Sequence, residues 1–138
     1  MQIIDGKDLI VGRAASHIAK MLLNGEQIQL VNSEKMIMIG DKNFIIEKYQ
    51  QRRRIQNKGK PEFSPHWPKL PNLLVRKIIR GMLPWKRMRG KEAFRRLKVF
   101  IGMPQDTKEA VSLDHAKFNK NARFITIYQL CKYLGFNG

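Results

Sequence analysis

The chain has one cysteine, Cys131, and three histidines, His17, His66 and His115, in 138 residues. A single thiol excludes an intrachain disulfide and leaves none of the paired thiolates that structural zinc sites use. Cys131 lies among apolar residues at helical spacing in residues 125–134, which predicts a small core side chain. The histidines fall on three different predicted elements without metal-ligand spacing, so each reads as a helix-surface or loop residue. Ser16 and His17 are neighbours on a predicted helix and point about 100° apart, too far to pair as nucleophile and base. Carboxylates are also sparse: Asp5, Asp8, Asp41, Asp106 and Asp114 fall mainly at predicted strand ends, caps and turns, where they satisfy backbone donors. A two-metal nuclease needs several of them converging. No apolar run approaches the roughly 20 residues of a membrane span. The first residues show no cationic leader before an apolar segment, and a cytoplasmic location is expected. The glycines of residues 5–13 fit neither a P-loop nor a dinucleotide fingerprint. Internal repeats, a helix-turn-helix pattern, zinc fingers and a basic zipper are missing too. No cofactor, metal, membrane or small-molecule substrate is expected.

What the chain has is positive charge in one place. Of a net +16, +15 falls in residues 42–98, which hold 18 Lys or Arg against Glu47, Glu62 and Glu92 alone. Folding gains nothing from such self-repulsion, so the concentration points to a polyanion, nucleic acid first. The cations alternate with Phe63, Trp67, Trp85 and Phe94 and with Gly and Pro, a mixture suited to folded or unpaired RNA. The candidate contacts are Arg52, Arg53, Arg54, Lys58, Lys60, Lys69, Arg76, Lys77, Arg80, Lys86, Arg87, Arg89, Lys91, Arg95, Arg96 and Lys98, with Arg13 added from the first strand-to-helix turn.

Hydrophobic periodicity predicts one domain, residues 1–138, of α/β class. A strand at residues 2–5, a helix at 12–23 stopped by Asn24-Gly25, and strands at 27–32 and 36–39 suggest a crossover unit and a parallel sheet. Asp41 is placed to cap a helix whose stripe is Phe44, Ile45 and Tyr49. Four of the six prolines fall in residues 61–71, so a basic, proline-rich extended excursion lacking sheet or helix is expected at about residues 50–71, much of it ordering on binding. A helix from Asn72, a shorter one at residues 91–97, a fourth strand at 98–102, a mixed loop at 105–123 and a terminal helix complete the reading.

Ile79-Arg80-Gly81-Met82-Leu83-Pro84, then Gly90-Lys91, then Leu97-Lys98-Val99-Phe100-Ile101-Gly102 resemble the signature of the large-subunit ribosomal protein thirteen family. Ile4-Asp5-Gly6, Val11-Gly12-Arg13-Ala14-Ala15-Ser16 and Leu22-Leu23-Asn24-Gly25 resemble its opening strand and first helix, so the likeness runs from about residue 3 to 104. The resemblance implies a three-layer fold with a central, mostly parallel four-stranded sheet flanked by helices. It also implies a non-catalytic protein of the large ribosomal subunit that binds its ribosomal RNA, supports assembly and touches neighbouring ribosomal proteins. Arg80, Lys91 and Lys98 become motif positions that meet RNA, Gly81 to Pro84 set backbone shape, and Arg13 combines structure with phosphate contact. The basic stretch and the end at Gly138 without a long basic tail resemble archaeal members. Two other readings stay open on the residues alone: an RNA-modifying or RNA-cleaving enzyme, which needs His and carboxylates beside the basic face, and a regulatory messenger-RNA binder.

Overall fold

A computed structural model describes residues 1–105, 107, 109–119 and 121–138; Asp106, placed above among the turn carboxylates, lies outside them. Apolar residues at helical spacing build α1 (Val11–Leu23), which buries Val11, Ala14, Ala15, Ile18, Ala19 and Leu22. Gly25, at φ +97°, closes it by donating a hydrogen bond from its amide to the Leu22 carbonyl. The helix joins β1 (Gln2–Asp5) to β2 (Ile28–Val31), paired in parallel from Gln2↔Ile28 to Asp5↔Val31 as the crossover reading expects.

Further along are β3 (Ile37–Ile39), α2 (Lys42–Arg54), α3 (Pro71–Gly81), α4 (Met88–Arg95), β4 (Leu97–Val99), β5 (Phe124–Thr126) and α5 (Ile127–Tyr133). β4 pairs in parallel with β2, giving the sheet order β1-β2-β4. Ile4, Ile28, Leu30 and Leu97 on one sheet face join the inward residues of α1, α3 and α4 in a buried cluster. Each such side chain contributes about 1.5–3 kcal/mol by leaving water.

The sheet has three strands where four were expected. After β2, Asn32 takes a left-handed φ of 54° and residues Ser33–Lys35 form a 3₁₀ turn, which carries β3 away from the sheet. β3 pairs instead antiparallel with β5, a strand that the periodicity merges into the terminal helix following residue 123. The boundary between β5 and α5 is set by a capping box: Gln129 N–H donates to Thr126 Oγ1 at 3.2 Å and the Thr126 amide to Gln129 Oε1 at 3.4 Å. The other sheet face carries Ile3 and Gln29, half-buried, and Lys98, exposed, with Val31 buried at one end, so the helical layer of the three-layer expectation is present on the first face, whereas the second is only partly covered.

Three local expectations also change. Asp41 occupies the N-cap of α2 but makes no side-chain cap bond, and Phe44 points outward while Ile45, Ile46 and Tyr49 turn inward. Arg52, Arg53 and Arg54 form the last turn of α2, so the irregular stretch begins at Ile55, not near residue 50. That stretch includes a 3₁₀ turn at Pro61–Phe63 and ends where Pro71 opens α3, the helical position that tolerates a missing N–H. Cys131 is buried, and desolvation pushes its thiol up to about 12, as its core reading requires.

Candidate nucleic-acid interface

Helix α3 organises the basic region. Leu74, Val75 and Ile79 bury one side, which leaves Arg76, Lys77 and Arg80 half-buried along its flank. Each lies over an aromatic ring. Arg76 is 4.5 Å from the centre of Phe94, Lys77 4.5 Å from Trp67, and Arg80 4.0 Å from Trp85. Trp85 and Phe94 meet edge to face at 5.2 Å, and Tyr49 and Trp67 at 5.8 Å. Arg52, from the last turn of α2, adds a second cation over Trp67 at 4.7 Å and over Tyr49 at 5.0 Å. Lys77 also donates to the His66 carbonyl. Trp67 thereby joins the irregular 55–70 segment to α2 and α3.

Gly90 fits the turn before α4. A Cβ there would stand 2.1 Å from the Pro84 carbonyl oxygen, so this backbone approach accepts only glycine. It holds α4, and with it Phe94, against the turn that carries Trp85.

Three of the cations also serve the fold, a role their sequence positions did not reveal. Arg96 Nη2 donates to the Leu22 carbonyl at 2.7 Å and Arg89 Nη2 to the Leu23 carbonyl at 3.4 Å, both at the C-terminal end of α1. Arg53 donates to the Leu134 carbonyl beyond α5. Cations there add a donor to carbonyls at the helix ends and complement the negative end of the helix. Arg54, Lys58, Lys60, Lys69, Lys86, Arg87, Arg95 and Lys98 are exposed, and Lys91 is half-buried. Arg13 stands exposed in the first turn of α1, outside all of these ring contacts.

Among the described residues none of these cations has a salt-bridge partner. Among the described residues the one salt bridge joins Lys117 to Asp114, outside residues 42–98. Burial, and secondarily the Arg80 guanidinium, hold the Lys77 ammonium below its ordinary pKa. Like charges one helical turn apart are destabilising, by about 0.2–0.5 kcal/mol per pair. The sequence reading also missed a pair of histidines: the rings of His17 of α1 and His115 meet with centroids 3.8 Å apart and planes tilted by 60°. Spacing hid this contact because 98 residues separate the two positions. Among the described residues no third His, Cys, Asp or Glu joins them in a group fit for a metal. No helix of the described residues is long and apolar enough to cross a membrane.

A mostly parallel α/β body with a strongly cationic flank, its arginines laid on aromatic rings, defines a class of small basic protein whose charge suits a polyanionic surface. Within that class the chain belongs to the ribosomal protein L13 family, whose model matches residues 1–106. It is 40% identical to large ribosomal subunit protein uL13 of Archaeoglobus fulgidus, over 99% of this chain and 88% of that protein. It is also 40% identical to large ribosomal subunit protein uL13 of Methanococcoides burtonii, over 98% of each chain. With the protein of the same name from Methanopyrus kandleri the identity is 46% over 78% of this chain and 66% of the other. These relatives are archaeal, as the sequence resemblance implied, and the similarity extends through residues 105–138, beyond the stretch where that resemblance was legible.

Proposed function

We propose that this chain is a structural, non-catalytic constituent of the large ribosomal subunit that binds large-subunit ribosomal RNA through residues 42–98 and supports subunit assembly. The observation that carries the reading is the set of 18 cations with no salt-bridge partner among the described residues, on a chain of the ribosomal protein L13 family. Lys and Arg displace counterions condensed on phosphates, and the cations let RNA helices that repel each other approach one surface. Residues 1–138 act as one ribosomal-protein domain in the cytoplasm, with the basic proline-rich stretch lying along the RNA and neighbouring large-subunit proteins touching the remaining surface.

Sedimentation of a cell extract at low and at high salt tests this. The protein is expected to travel with the large subunit until salt is high enough to screen many phosphate contacts. Travel as free protein at low salt overturns the reading, and recovery on messenger RNA instead transfers it to regulation.

A further inference from the structure

Helix α3 ends in Arg80-Gly81, and among the described residues nothing requires this glycine. Its φ is not positive, and a Cβ built on it meets no atom within 4 Å. Alanine is the better helix former at such a position. Gly90, ten residues on, is the opposite case, filled by the Pro84 carbonyl. The reason for Gly81 therefore lies outside the molecule.

Beside Gly81 is a recess of about 400 Å³ lined by Lys77, Arg80, Gly81, Leu83 and Trp85. Its walls are fixed before any partner arrives: Lys77 is held by Trp67 and the His66 carbonyl, Arg80 lies on Trp85, and Leu83 is buried. Two cations line it and no acid does. Arg80 already covers the Trp85 ring, so the recess offers charge rather than a surface for stacking a base. The C-terminus of α3 turns partial negative charge toward the same end, so an anion seated there needs both cations.

We infer that Gly81 is a close-approach point for the sugar-phosphate backbone of RNA, with one phosphate seated between Lys77 and Arg80 and the strand passing over the glycine where any Cβ would obstruct it. This rests on the RNA-binding reading above.

The test is a pair of variants, Gly81→Ala and Gly81→Gln, both good helix formers. Thermal unfolding of each free protein is measured beside its affinity, at one salt concentration, for a transcript of large-subunit ribosomal RNA. The midpoint is expected to stay level or rise by about 2–4 °C. Affinity is expected to fall about tenfold for Ala, a loss equal to about 1.4 kcal/mol, and further for Gln. Full affinity in both variants overturns the inference alone, as does a fall in the midpoint, which returns the glycine to the fold. Failure of the unaltered protein to bind the transcript overturns the RNA-binding reading and the inference with it.

Discussion

The α3–α4 region and the 55–70 segment carry charge of the same sign, yet they present it differently. In the first, Arg76, Lys77 and Arg80 are half-buried and lie over Phe94, Trp67 and Trp85. In the second, Lys58 and Lys69 are exposed with no ring contact, and Lys60 is exposed with its ammonium 5.8 Å from the ring centre of Phe63. A long side chain fixed against a ring has already lost the rotamer freedom that binding removes. On the proposed RNA-binding role the difference implies that equal charge does not mean equal affinity: cations laid on rings are expected to give strength and orientation, and the exposed ones long-range attraction.

The sharpest break in this comparison is a matched pair of glycine substitutions. Gly90→Ala drives a Cβ to 2.1 Å from the Pro84 oxygen, whereas Gly59→Ala meets nothing within 4 Å. The first is expected to lower unfolding free energy by about 3 kcal/mol, because backbone has to move, and the second to change it by less than about 0.5 kcal/mol. Urea unfolding of both variants measures this. Similar losses would mean that the 55–70 segment is packed as tightly as the α4 turn.

Binding gives a second contrast, between Arg80→Ala and Lys58→Ala. Each removes one cation, so each is expected to reduce the slope of log affinity against log salt by about 1. At fixed moderate salt, however, Arg80→Ala is expected to weaken binding to large-subunit ribosomal RNA about tenfold, or about 1.4 kcal/mol, and Lys58→Ala only about twofold. Filter binding across a salt series separates slope from intercept. Equal intercepts would remove the advantage assigned to the aromatic rings.

How far the sequence itself showed this arrangement follows from the range of the forces involved. The α1 helix, the parallel β1–β2 pair and α3 were legible because their apolar periodicity is local and strong, with Ile18 and Leu22 or Val75 and Ile79 falling on one face. β5 was not, because Phe124–Thr126 runs directly into a helix of similar composition, and only the Thr126–Gln129 capping box divides them. The departure of β3 from the sheet depends on a left-handed Asn32, a conformation to which hydropathy is blind. In the basic region the charge was plain, but the uses of its members were not. Arg53, Arg89 and Arg96 find helix-end carbonyls 66 to 81 residues away in the chain, contacts no local pattern encodes. Trp67, Trp85 and Phe94 read as stacking surfaces for bases, yet much of their area is given to the chain's own cations, while Phe63 remains exposed.

Those structural arginines sharpen the contrast by a smaller amount. Arg96→Ala leaves the Leu22 carbonyl at the end of α1 without its 2.7 Å donor, and is expected to lower stability by about 1–2 kcal/mol. Arg95→Ala, next to it and exposed, is expected to change stability by less than about 0.5 kcal/mol. Thermal unfolding of the two variants decides, and an equal response would show that Arg96 acts only as another surface charge.

The smallest effect concerns pH, and it sets the basic region apart from the turn at Asp114–Ala116. Desolvation, with His115 and Lys20 nearby, lowers the pKa of His17 below its ordinary value. The sign follows from linkage: above about 6.5 His17 is neutral in folded and unfolded chains and its site is undisturbed. As pH falls through that value the unfolded chain gains the proton first, so stability drops until the folded pKa is reached. Lys117 lowers the Asp114 carboxyl in turn, an attraction present above the ordinary carboxylate pKa and lost when pH falls through the depressed folded value. Both steps act on the turn whose Ala116 carbonyl accepts from the Ile10 amide at 2.8 Å. Relative to its intrinsic chemical rate, which itself slows as pH falls, the Ile10 amide is therefore expected to lose protection between pH 7 and 5 as His17 titrates, with the Asp114 step adding only below about 4, while amides of α3, which carries no histidine, keep theirs. A parallel loss of protection in both would place the acid sensitivity in global unfolding, with no special role for the histidine pair.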